Sequence, residues 1–200
     1  MRKYIFIIIA CVTMISCSKE EPQLDRTIFV PDEINPSLPA YSEWGYNVFG
    51  AKYERTYFMA NESIVPCKIM CRNDSTILLM QGVVGNDYPR QKMDLTFIFP
   101  SERITNYNDL IIFNKKLIDL NAGCVVKMTV DNTEKTLNIL NGMLNFKRAQ
   151  LLSIDGIVNR VILSGTFDFQ FLGANSFPES FSYGRFDFGI TENEFYNFGN

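Results

Sequence analysis

Two aspartates, each set between phenylalanines, are the strongest candidates for chemistry in this chain: Asp168 in "GTFDFQF" and Asp187 in "GRFDFG". If the flanking phenylalanines point into a core, alternation along a strand turns both carboxylates to solvent. Carboxyl groups about 5–5.5 Å apart would suit a retaining glycoside hydrolase. The connection between the two segments is short enough for an antiparallel hairpin. A loop symmetric about Phe177 and Pro178 would set the two aspartates directly opposite, where like charges destabilise a sheet. A slip of two residues keeps every phenylalanine on its face and sets Asp168 opposite Arg185. The expected arrangement is therefore an exposed ion pair, with no catalytic residue.

The chain contains no histidine. That removes Ser/His/Asp and Cys/His nucleophiles, histidine-ligated zinc and imidazole acid–base chemistry. Three cysteines, Cys67, Cys71 and Cys124, lie in the body of the chain. In "CKIMC" the apolar Cys67, Ile69 and Cys71 alternate with Lys68 and Met70 as on a strand, which places the two thiols about 13 Å apart, too far for a disulfide. All three are expected as buried core thiols. A disulfide from Cys124 to one of the others, or a three-thiol metal site, is the remaining alternative. No pattern calls for a cofactor or a metal.

Among the aromatics, Trp44 stands in "YSEWGY" beside Tyr41 and Tyr46. The expected role is a lid over one end of the core; the alternative is a platform that stacks on a sugar ring or a partner. Phe195, Tyr196 and Phe198 near the C-terminus are expected to form a last strand rather than an exposed tail. "DST", residues 74–76, resembles a short bacterial O-glycosylation signal and falls on an expected turn, which makes Ser75 a candidate modification site.

The elements that must position these residues are strands. Met93, Leu95, Phe97 and Phe99 share one parity, as do Cys124, Val126, Met128 and Val130, Phe167, Phe169 and Phe171, and Phe186, Phe188 and Ile190. Such alternation puts one face on a core and the other towards solvent, as in antiparallel sheets. Asn73-Asp74, Asp131-Asn132 and Asp155-Gly156 read as hairpin turns. One short helix is expected near 106–121, where Tyr107, Leu110, Ile111, Asn114, Leu117 and Ile118 recur at helical spacing behind Thr105 or Asn106 as cap. The expected fold is all-β: a single antiparallel sandwich over 41–200, with a lipocalin-like barrel as alternative. A formal net charge of −3 and no long basic block make nucleic acid a poor partner.

The N-terminus has its own logic. Arg2 and Lys3 precede an apolar run from Tyr4 to Ile15, too short to span a bilayer and typical of a signal peptide over 1–16. "MISC" resembles the bacterial lipobox, in which the cysteine, here Cys17, is acylated. The following "SKEE", with Lys19, Glu20 and Glu21, resembles the acidic export signal of Bacteroidetes lipoproteins. Acyl chains contribute about 0.8 kcal/mol per buried methylene, and stable attachment takes more than one chain. Residues 17–40 hold four of the eight prolines and read as a tether, with "TIFV", residues 27–30, able to add an edge strand.

Elsewhere the chain resembles a group of small Bacteroidetes surface lipoproteins. The matched residues are Gly45, Asn47, Phe49 and Gly50, then Ser164, Gly165 and Phe167, then Gly184, Arg185, Phe186 and Asp187. The resemblance implies lipid attachment at the outer membrane with the domain facing outward; it implies no activity. The expected role is a non-catalytic binding module for a glycan, a host surface or an outer-membrane protein. A carboxylate-dependent glycan hydrolase, or a carrier of an apolar ligand inside a barrel, is the rival.

Overall fold

Alternation of apolar and polar residues is realised as twelve strands in the computed structural model, which describes residues 27–199 apart from 62–65, 86–89 and 155. Cys17, Lys19, Glu20, Glu21 and the apolar run before them lie outside the described residues. The strands are β1 (Val48–Tyr53), β2 (Thr56–Ala60), β3 (Cys67–Cys71), β4 (Ser75–Val84), β5 (Gln91–Pro100), β6 (Lys116–Asp119), β7 (Val125–Val130), β8 (Thr133–Thr136), β9 (Asn138–Ile154), β10 (Ile157–Leu172), β11 (Pro178–Ile190) and β12 (Phe195–Asn197). They form one sheet in the order β6-β9-β10-β11-β1-β2-β4-β5-β7-β8; β3 shares the β2 side of β4, and β12 adds to β3 in parallel. Every other pairing is antiparallel.

The sheet folds over on itself, and phenylalanines fill the space between its halves. Twelve of the seventeen are fully buried, so aromatic packing dominates the core. Phe97 on β5 meets Phe167 and Phe169 on β10 edge-on, with centroids 5.6 and 5.9 Å apart. Phe99 meets Phe146 on β9 at 5.8 Å. Edge-to-face and offset pairs each add about 0.5–1.5 kcal/mol beyond burial. The sheet does not close: β6 and β8 end the path unpaired. The architecture is the expected sandwich-like fold rather than the barrel.

The helix is shorter than its periodicity predicts. A 3-10 helix spans Tyr107–Phe113, capped by Asn106, with Asp109 returning a bond to the Asn106 N–H at 3.0 Å. Phe113 stacks on Phe146 at 5.0 Å. Lys115 then turns the chain with φ of 59°, and the rest of the expected helix becomes β6. The uncovered edge of β9 takes its backbone bonds, with Ile118 inward and Leu117 outward. Among the described residues no helix is long and apolar enough to cross a membrane.

Ahead of β1 the chain crosses the outer face of the sheet as a strap. Residues 27–30 form no strand; Pro31 bridges Pro39, the Ala40 N–H donates to the Val30 carbonyl at 2.6 Å, and the Ile28 N–H donates to the Tyr46 carbonyl at 2.8 Å. The last part of the expected tether is thus a folded loop. Leu38 is buried beneath it, and Asp32 is paired with Arg185 on β11 at 2.6 Å.

Candidate functional site

The two aspartates are neither opposite each other nor alike. Ser164 faces Asp187, and Thr166 faces Arg185, two residues beyond the expected register. The turn is the reason: Leu172 pairs with Pro178 around a five-residue loop centred on Asn175, with Ser176 at φ of 60°. A second irregularity sets Ser182 and Tyr183 together against Asp168, a β-bulge with Tyr183 at φ of 55°. The predicted Asp168–Arg185 ion pair is therefore absent. Asp168 lies four residues along β10 from the partner of Asp187, or about 13 Å. That exceeds the spacing of either glycosidase carboxylate pair.

Asp187 was expected to face solvent and is instead only 1 % exposed. Alternation does put it on the outer face, but the strap covers it there. Its carboxylate accepts from the Ser42 hydroxyl and from three consecutive backbone N–H groups: Trp44 at 3.1 Å, Gly45 at 2.8 Å and Tyr46 at 3.2 Å. Successive N–H groups of this kind form an anion-holding nest. Gly45 makes it possible, with φ of 75° and packing 3.3 Å from the Gly189 backbone measured from the place a Cβ would take. Asn47, at φ of 52°, accepts from the Gly189 N–H at 2.8 Å.

This clasp presents Tyr41, Glu43 and Trp44 along an open groove. Trp44 is 73 % exposed, so it is not a lid on the core; it lines a cleft of about 330 Å³ with Glu43, Arg148 and Gln150. Glu43 spans to β9, accepting from Arg148 at 2.8 Å and from the Tyr41 hydroxyl at 2.9 Å. The Arg148 guanidinium holds the Glu43 carboxyl below the usual range. Tyr41 also lines a larger cleft of about 450 Å³, where β9 contributes Met143, Asn145 and Lys147, β10 contributes Thr166 and Asp168, and β11 contributes Tyr183 and Arg185. Burial, reinforced by the Glu43 carboxylate, pushes the Tyr41 phenol up to about 12, so it stays a hydrogen-bond donor. The Lys147 ammonium sits over its ring at 4.8 Å. Tyr46 lines neither cleft; its N–H serves the clasp.

Two bulges shape the groove. On β9, Phe146 pairs with Gly165 and Arg148 with Ser164, so Lys147 is the extra residue, and consecutive basic side chains emerge on the outer face. On β11 the bulge turns Tyr183 outward. Both leave a signal in the sequence, a switch of apolar parity between Phe146 and Ala149 and between Phe181 and Phe186. Lys147, Arg148, Gln150 and Tyr183 are announced by that switch alone, and they stand outside the candidates that strand alternation picks out.

The remaining candidates lie apart from the groove. Cys67 and Cys71 are buried, Cys124 is half-buried, and all three are free. Burial raises each thiol, Cys71 to about 11, which keeps them protonated and inert. Among the described residues no three histidine, cysteine or acidic side chains converge as a metal site. Ser75 opens β4 beside the Asn73-Asp74 turn, half-buried, with its hydroxyl 3.1 Å from Asp74 Oδ1. Phe195–Asn197 form the expected last strand, but Phe198 lies beyond it and is exposed. No family model, curated protein or solved structure matches the chain.

Proposed function

We propose that this protein is a lipid-anchored outer-membrane protein whose domain faces outward and binds glycan, without catalysis, in the groove beside the strap. Support for the location is the lipobox-like "MISC" with Cys17, followed by Lys19, Glu20 and Glu21. The observation that carries the binding role is Trp44, a large aromatic held 73 % exposed at the rim of a groove lined by hydrogen-bonding side chains. An aromatic face beside polar groups suits a sugar ring, which has one apolar face and a rim of hydroxyls.

Two observations weigh against the rivals. Asp187, the partner a two-carboxylate hydrolase would require, is engaged by four donors in the clasp. Phenylalanines meet across the sheet where a carrier would need a lumen. The test has two arms. Cys17→Ala should release the protein from membranes, and changing Lys19, Glu20 and Glu21 to alanine should leave it membrane-bound but protected from protease added to whole cells. On a glycan array the wild-type chain should retain at least one oligosaccharide and Trp44→Ala should lose it. Retention unchanged in Trp44→Ala, or capture of an outer-membrane protein with no glycan retained, would replace this reading.

A further inference from the structure

Resting on the glycan reading, we propose that the larger cleft takes an uncharged, hydroxyl-rich sugar and that Asp168 and Lys147 read its hydroxyls. The charge in and around the cleft is balanced. Arg185 is paired with Asp32 at 2.6 Å, and Arg148, next along β9, with Glu43 at 2.8 Å. This leaves Lys147 and Asp168 as the two charged side chains lining the cleft that have no ion pair among the described residues. A cleft for an acidic glycan would present spare bases without an opposing acid. Here an anionic group would meet Asp168 and a cationic one would meet Lys147, while a polyol can accept from the ammonium and donate to the carboxylate. Such charge-assisted hydrogen bonds are the strong ones.

The surroundings of Asp168 fit that role. Its carboxylate lines the cleft opposite the bulge at Ser182 and Tyr183 and has no side-chain hydrogen-bond partner among the described residues, so its oxygens are open to hydroxyl donors. Asn145 lines the same cleft with both a donor and an acceptor. Tyr183 is 59 % exposed and held at positive φ by the bulge, a backbone conformation that non-glycine residues keep where the surroundings impose it, often at ligand sites. Its ring and Leu117, 57 % exposed on β6, supply apolar surface for the faces of the sugar.

The test uses the full chain in detergent. An array carries neutral hexose and N-acetylhexosamine oligosaccharides beside uronate-containing and sialylated ones, and the best ligand is then titrated by calorimetry. Neutral oligosaccharides should be retained, with an affinity nearly independent of salt. Asp168→Asn should weaken the neutral ligand about tenfold, and Lys147→Met should weaken it as well. Retention confined to acidic glycans, or wild-type affinity in both variants, overturns this inference and leaves the glycan reading intact. No oligosaccharide retained by the wild type overturns both.

Discussion

Asp168 and Asp187 stand on the same outer face of neighbouring strands, each between core phenylalanines, yet one opens onto a cleft and the other is sealed. Asp187 has four donors from the strap; Asp168 has no side-chain partner among the described residues and lines the groove. Sheet alternation assigns a residue to a face, but whether that face is wet depends on what crosses it. The sealed carboxylate holds the loop that carries Trp44, and the open one is where our proposal places a ligand. Burial and exposure are thus divided between two residues set alike between phenylalanines in the sequence.

Breaking the sealed side should have the largest effect. Asp187→Ala would leave three backbone N–H groups without their acceptor, each worth about 1–3 kcal/mol when buried. We expect a loss of about 3 kcal/mol or more by urea denaturation, together with loss of glycan retention; an unchanged midpoint would show that the clasp does not hold the strap. Gly45→Ala should act in the same direction and less strongly, about 1–2 kcal/mol for a left-handed alanine, read in the same unfolding experiment.

Acid sharpens the comparison from the strap's outer end. Arg148 depresses the Glu43 carboxyl, so the stability from that bond is fully present above the ordinary glutamate range and is lost as pH falls through the lowered value. Trp44 is the one tryptophan, so its fluorescence reports on the strap. It should change as pH falls below the ordinary glutamate range in the wild type, while in Glu43→Gln that transition should be absent.

The smallest effect has the opposite sign. Burial raises the Asp168 pKa, so its ionised form weakens the fold at neutral pH, and its contribution to stability is present below the unfolded pKa and lost as pH rises through the folded one. Asp168→Asn should therefore raise the melting temperature slightly at pH 7, even as it weakens ligand binding. A lowered melting temperature would show Asp168 to be a structural residue like Asp187.

Much of the fold was legible because alternation and turn chemistry are local. The strand at Cys67–Cys71 has its burial alternating as read. Asp131-Asn132 turns with φ of 47° and 66°, as a two-residue hairpin requires. The first hairpin turn was not legible. Glu54 takes φ of 51° because Ser180 on β11 holds it, its N–H donating to the Glu54 carboxylate at 2.6 Å. That partner is 126 residues away, and no local signal could announce it.

The sequence motifs around Gly45, Ser164 and Gly184 also gain a physical account. Ser164 pairs with Asp187 and Asp187 with Val48; Gly165 pairs with Phe186 and Phe186 with Phe49; Thr166 pairs with Arg185 and Arg185 with Gly50. The three motifs are adjacent rows of one patch of sheet on which the strap closes.

By itself the sequence determined the strand class, the inward set of phenylalanines, the unbonded Cys67 and Cys71 and the absence of imidazole chemistry, since each depends on residue type or on spacing within one segment. Tertiary structure alone decided the register of β10 on β11, the burial of Asp187 and the groove. Register follows where the turn is centred and where two bulges fall. Burial follows from a strap that reaches Asp187 across more than 140 residues of chain.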